Sequence, residues 1–389
     1  MKNAPWRNPQ AAPGVDAGPP SLADSAPLPN APIVDHAART LHGDLHRTHR
    51  AHGFAPRNPV EGWISDVGGG VEAQVTSSPD GTTLYATTLS GSLVALARAD
   101  GKVRWRADLG GRSYTTPCVA DDGTIYVGSD AKKFFAVSPL GAILWTLETS
   151  GDADTAPAIA KNGSILFAAG KELLDARKGG DVAWRFSAKD KIFTAPAIAD
   201  DGTIYFGSQD DHAYALTSAG AQKWAVALGA DVDGAPVIGD DGAIFFGDDA
   251  DELVRIEQDG RVAWKVDVGG FVRGPLSITR GGSLVFGTFG PAPREVRVDA
   301  KSGSILGSFR IQGTGAKEFG IVGGALEDDS GAVFFGAQDD AVYAVDRNGA
   351  LRFRIATGGD VDAPLTLLPD GALVIAGDDA KVRLLEEKK

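Results

Sequence analysis

The chain has 389 residues, 43% of them hydrophobic, with 51 acidic against 38 basic side chains and a formal net charge of −13. That balance argues against nucleic acid, whose phosphates call for a positive face, and makes a cationic partner the natural expectation. No apolar run approaches the roughly 18 residues needed to cross a bilayer, and the single cysteine, Cys118, has no second cysteine to pair with or to share a metal.

Residues 1–35 hold eight prolines among Ala, Gly, Asp and Ser, a composition that buries too little to fold and reads as a disordered tether. Met1-Lys2-Asn3 runs into it without an apolar signal segment, so the chain is expected to be cytoplasmic as it stands, or an exported protein whose export or lipid-attachment signal was removed. The lead-in 36–59 is His-rich. Spacings of four, three and three would align His42, His46, His49 and His52 along one side of a helix, weak candidates for a zinc, copper or nickel site. Gly43 and Gly53 weaken that helix, and a solvated segment lying along the fold is the plainer alternative.

From residue 60 to 389 one unit recurs about every 40 residues. Its clearest copy, Lys191 to Gly229, predicts strands Thr194–Ala199, Thr203–Ser208, His212–Thr217 and Ala221–Leu228, separated by Asp-Asp-Gly, Gln-Asp-Asp and Ser-Ala-Gly turns. Trp105, Trp145, Trp184, Trp224 and Trp264 repeat in the fourth strand, and prolines such as Pro117, Pro157, Pro196 and Pro236 in the first, innermost one. The predicted blades are Val71 to Leu109, Arg112 to Glu148, Asp152 to Ala188, Lys191 to Leu228, Asp231 to Val268, Phe271 to Ile311, Phe319 to Thr357, and Asp360 to Glu386. The last lacks a fourth strand, whereas Glu61 to Gly69, with Trp63, is a fourth strand without a blade. The fold predicted is therefore all-β: an eight-bladed β-propeller of four-stranded antiparallel blades, closed by an N-terminal strand completing the C-terminal blade.

The pattern A-P-A-I-A-D-D-G-T-I-Y-F-G-S-Q-D-D-H-A-Y-A-L with G-A-Q-K-W resembles the PQQ-like, or quinoprotein-type, β-propeller repeat family, and the His42-to-Thr48 segment resembles the G-D-x-x-R-T that often precedes such repeats. The resemblance covers about residues 60 to 389. One branch of that family implies alcohol dehydrogenases with pyrroloquinoline quinone (PQQ) over a channel tryptophan, a calcium or lanthanide ion and an adjacent Cys-Cys pair. Another implies the noncatalytic lipoprotein of the outer-membrane β-barrel assembly machinery. Cys118 stands alone, and every tryptophan except Trp6 belongs to the repeat, so the second branch is closer in character and PQQ is not expected.

In a propeller the second-to-third loops and the blade-to-blade links share one face. That face collects Asp152, Asp154, Asp231, Asp233, Asp360 and Asp362 in the links, and Asp210, Asp211, Asp248, Asp249, Asp339, Asp340, Asp378 and Asp379 in the loops. The D-x-D spacing offers hard oxygen ligands, for which Ca²⁺ would be the cofactor. The plain alternative is that aspartates end strands and keep a rim soluble. His212, beside Asp210 and Asp211, reads as a loop histidine, with no nucleophile elbow to serve. The expectation is a noncatalytic, monomeric scaffold that holds a protein or peptide partner, of basic character, through Tyr114, Asp154, Phe193, Asp231, Asp233, Arg273, Phe319 and Asp362. A metal- or quinone-dependent enzyme or small-ligand binder is the alternative. The resemblance implies a bacterial periplasm or cell envelope, with membrane contact only through a removed or absent N-terminal anchor.

Overall fold

Asp-Gly turns set the local geometry of each blade. At Asp201-Gly202 the glycine takes φ +82° and the Asp201 carboxylate accepts the Thr203 backbone N–H, reversing the chain between strands Ala197–Ile198 and Ile204–Ser208. Strands His212–Leu216 and Gln222–Ala227 complete the meander. The inner strand has two residues rather than the six predicted. Pro196 offers no N–H to the ladder, and the Thr194 hydroxyl caps the end of the second strand instead, donating to the Gly207 carbonyl and accepting the Gly207 N–H.

The computed structural model describes residues 15–16, 38–311 and 319–388. Among them, eight four-stranded antiparallel blades form a propeller, the sheet of blade 6 gaining a fifth strand at its edge, and no helix is present. No helix is long and apolar enough to cross a membrane, a statement limited to those residues. Of the Pro-rich segment only Val15–Asp16 is described, as a short strand along the outer edge of blade 6; the remaining tether lies outside the described residues.

What joins neighbouring blades is a repeated indole bond. Six of the eight fourth strands carry a bulge just before a tryptophan, as between Ala215 and Leu216 opposite Trp224, and a bulge re-aims the side chain that follows it; in blades 6 and 7 Gly307 and Phe353 hold that position. The indole N–H of Trp184 then reaches blade 4 and donates to the Ser218 carbonyl at 3.2 Å; Trp63, Trp105, Trp145, Trp224 and Trp264 do the same to Arg98, Pro139, Lys178, Gln258 and Lys301. The receiving turn must be a glycine. A Cβ on Gly220 would lie 2.5 Å from the Trp184 ring.

Between blades the second and third strands are buried on both faces and pack into shared clusters, such as Tyr205 and Ala213 of blade 4 with Ile244, Phe246 and Val254 of blade 5. Closure uses the displaced strand. Pro59–Asp66 pairs antiparallel with Lys381–Glu387, Trp63 opposite Leu384 and Ser65 opposite Val382. In blade 6, Phe289–Gly290 pairs with Phe319–Gly320, and Phe289 also bridges Phe271, so its long second-to-third loop clamps the links on either side; residues 312–318 lie outside the described residues.

Residues 38–53 fill the channel from the turn face. The backbone N–H groups of Ser77, Val119, Ile198, Ile238, Ile278 and Glu327, one from each of six blades, donate to the carbonyls of Ala38, Arg39, Leu45, His46, Thr48 and His49. The propeller thus has one plugged face and one open face.

Candidate functional site

The open face is built from the position where each link becomes an inner strand. Side chains alternate along an extended chain. Val71, Ser113, Ala153, Ile192, Val232, Val272, Ile321 and Val361 point between blades and are buried, so the next residue of each faces the channel. Those next residues are Glu72, Tyr114, Asp154, Phe193, Asp233, Arg273, Val322 and Asp362. Four carboxylates stand against one guanidinium.

Crowding and burial hold these carboxylates partly protonated. Burial pushes Glu72 up to about 7, with Asp362 and Asp378 adding repulsion, and Asp154 up to about 7, with Asp152 and Asp130 adding to it. Asp233 and Asp362 rise to about 6, again chiefly by burial, even though the amides of Gln209 and Gln338 in the preceding blades donate to them at 3.4 and 3.0 Å. Asp360 rises to about 6 by burial and then by Asp340 and Asp378. One oxygen each of Asp154, Asp233 and Asp362 is buried without a hydrogen-bond partner among the described residues.

Two groups bring three carboxylates together, Glu72 with Asp362 and Asp378, and Asp231 with Asp233 and Asp249, ligand atoms within 4.8 Å of one another. In the second, Asp249 is already engaged by the Arg273 guanidinium, Nε at 3.0 Å and Nη2 at 2.7 Å. Arg273 also lies over the rings of Phe271 and Phe289, 4.9 and 5.1 Å from their centroids, a cation–π clamp that holds it at the rim. Phe193 is 41% exposed, with the Lys191 ammonium 5.6 Å from its centroid. Tyr114 is half-buried beside Arg112, and the Phe319 side chain lies outside the described residues.

Not every loop aspartate serves the mouth. Asp248 is fully buried and caps its own loop through the N–H groups of Ala250 and Glu252. Asp210 accepts the Tyr214 hydroxyl and the Lys189 N–H, Asp339 the Tyr343 hydroxyl, and Asp379 the Arg383 guanidinium. His212 turns Nδ1 onto the Asp210 carbonyl at 2.6 Å. Sequence reading missed Glu72; its signal was its register, the same as the second aspartate of D-x-D.

The histidine alignment predicted along a helix does not form. His42, Arg47 and His49 take φ of 58°, 61° and 55°, the left-handed region, which no α-helix uses. His42 and His49 instead stack in the plug, rings 3.9 Å apart, while His46 lies 3.8 Å from Asp200 and His52 is exposed. Burial and its neighbour His49 hold His42 well below the ordinary imidazole value, and burial brings His49 down to about 4, so both are neutral. Arg47, also overlooked from sequence, is the plug's anchor. It is fully buried and donates to the carbonyls of Leu41, Pro196 and Pro157 and to the Thr40 hydroxyl at 2.7 to 3.4 Å. Asp44 ties the turn by accepting from Thr48, which explains the G-D-x-x-R-T spacing. Leu41 packs on Ala156, Ala195 and Ala235 beneath the mouth.

Over 70 residues the chain is 41% identical to Protein Rv3035 of Mycobacterium tuberculosis, a stretch covering 18% of this chain and only 17% of that protein's length. Its fold is similar to the crystal structure of BamB from Moraxella catarrhalis, with TM-score 0.67 at 15% identity over 84% of this chain and 99% of that one. It is similar also to a europium-containing methanol dehydrogenase, TM-score 0.75 at 11% identity over 90% of this chain and 97% of that one. At such identities the likeness is one of fold alone. A match over residues 48–182 and 172–389, together nearly the whole propeller, shows that the chain belongs to the family described as outer membrane protein assembly factor BamB.

Proposed function

We propose that this propeller is a noncatalytic scaffold that holds a protein or peptide partner of basic character at its acidic, open face. The observation that carries the reading is the ring of Glu72, Asp154, Asp233 and Asp362, flanked by Phe193, Tyr114 and the clamped Arg273. Carboxylates crowded at one mouth repel until a cation neutralises them, and aromatic and arginine side chains supply the anchoring energy of protein interfaces. Membership in a family described by outer membrane protein assembly supports a bacterial envelope setting.

The test is a pull-down from an envelope extract with wild type and with the Asp231→Asn/Asp233→Asn/Asp362→Asn variant. Partner recovery is expected to fall at least about tenfold, since truncating one side of a buried charge pair costs about 2–5 kcal/mol. Unchanged recovery overturns the acidic-face reading.

The second reading, a quinone- or metal-dependent site in the channel, starts only from the fold shared with a methanol dehydrogenase. The residues present do not fit a quinone. Six indoles are engaged at the blade seams through their N–H groups, Leu41 and the stacked histidines fill the lower channel, and the buried Cys118 has no adjacent cysteine. A cation remains open to test at Glu72, Asp362 and Asp378. Calorimetry with Ca²⁺, alongside an absorbance scan for bound quinone, separates the two readings.

A further inference from the structure

On the opposite, plugged face the seam between blades 3 and 4 holds a pocket of about 240 Å³, with Leu166, Asp175, Ile198, Ile204 and Ser218 among its walls. Asp175 is the anomaly. It is 4% exposed, its Oδ1 is buried with no hydrogen-bond partner among the described residues, and burial lifts its carboxyl above the ordinary value even though hydrogen bonding from Ser164 and Trp184 acts to lower it.

The register of the blades shows what such a seam accepts. Asp175 stands opposite Trp184 in the third strand; the same position is Ala95, Ala136, Ala215 and Ala344 in four other blades. In blades 5 and 6 it is Arg255 and Arg297, and each guanidinium crosses its seam, Arg255 to the Ala300 carbonyl at 3.0 Å and Arg297 to the carbonyls of Arg347 and Asp346 at 3.0 and 3.1 Å, while carboxylates of their own blades hold them too, Asp241 and Glu257 for Arg255 and Glu295 for Arg297. Two seams are thus sized and lined for a guanidinium supplied from within. At blade 3 the guanidinium is replaced by a buried carboxylate, and the space is left open.

We propose that the Asp175 pocket receives an alkylguanidinium from outside, its charge on the carboxylate and its methylenes against Leu166, Ile198 and Ile204. A planar fork suits a carboxylate through two parallel hydrogen bonds, and the apolar walls suit its stem. Asp200 at the rim, already held by Lys161 at 2.7 Å, and Asp201 beside it add attraction for a cation.

The test titrates the full chain with propylguanidinium, propylammonium, and a short peptide carrying one arginine, followed by the methyl NMR signals of Leu166, Ile198 and Ile204. Those probes report this pocket and are silent to binding at the acidic mouth. Saturable shifts with the guanidinium probes, weakened at least about tenfold in Asp175→Ala and Asp175→Asn, support the site. The peptide acting at lower concentration than propylguanidinium makes an arginine of a protein the source; the reverse order makes it a small ligand. Alanine is native to this position in four blades, so Asp175→Ala folds, and its Tm is expected to rise by a few degrees, roughly what relief of a buried carboxylate with one unpartnered oxygen gives. Undiminished shifts in Asp175→Ala, or no shift in wild type up to about 50 mM, which is below any useful affinity, overturn the proposal.

Discussion

Glu72, Asp154, Asp233 and Asp362 set the behaviour of the open face with pH. Each is a carboxyl whose folded value, about 7 for the first two and about 6 for the other two, lies above its ordinary one, chiefly through burial. Between about pH 4 and pH 7 the folded chain therefore holds more protons than the unfolded chain, and stability falls as pH rises through that window. Tm is expected to be higher at pH 5.5 than at pH 7.5, and Asp233→Asn/Asp362→Asn is expected to shrink the difference, with Glu72, Asp154 and Asp360 supplying the remainder; a scan of Tm against pH checks both. Binding of a basic partner runs the other way, since protons compete with it, so affinity should strengthen from pH 5.5 to pH 7.5. Arg47 works by a different route. Its guanidinium is buried, its value brought down to about 10 by that burial, and it is held by carbonyl oxygens alone apart from Thr40. Arg47→Ala should cost at least about 3 kcal/mol by urea unfolding, because several buried acceptors lose their donor together.

At the scale of the element, the tryptophan bond and its glycine are one device. Gly220 combines φ +80° with a Cβ position inside the Trp184 ring, so Gly220→Ala should lose about 2 kcal/mol or more. Trp184→Phe keeps most of the packing but loses the indole bond to the exposed Ser218 carbonyl, for a loss of about 1 kcal/mol in the same urea titration. The glycines and tryptophans were legible as a repeat, and in the sequence Gly307 and Phe353 stand where the other blades have tryptophan, which makes blades 6 and 7 the irregular ones. The contact between Trp184 and Gly220 was not, since 36 positions separate them and only the ring brings them together. Histidine spacing misled for a related reason. Intervals of three and four suit a helix, but the segment's hydrogen bonds go to the inner strands of six blades, and that tertiary pairing outweighs a weak local preference.

For the whole molecule, closure rests on Pro59–Asp66 against Lys381–Glu387. Removing residues 1–66 takes away that strand and the plug, leaving a long third strand as an open edge, a template for association between chains. The truncated chain should unfold without a single cooperative transition and self-associate, a loss comparable with the whole stability of an ordinary domain, about 5–15 kcal/mol. Size-exclusion chromatography with light scattering checks this.

From the sequence alone one could read eight copies of a meander, the displaced strand that closes them, and the face on which acidic links gather, because turn residues, strand alternation and repeat period are local properties of a chain. Which of those carboxylates line the channel, and which cap their own loops as Asp248 and Asp210 do, was decided only in three dimensions. So were the plug built on Arg47 and the empty seam at Asp175. Burial and pairing depend on what the neighbouring blade presents, and nothing within one repeat records its neighbour.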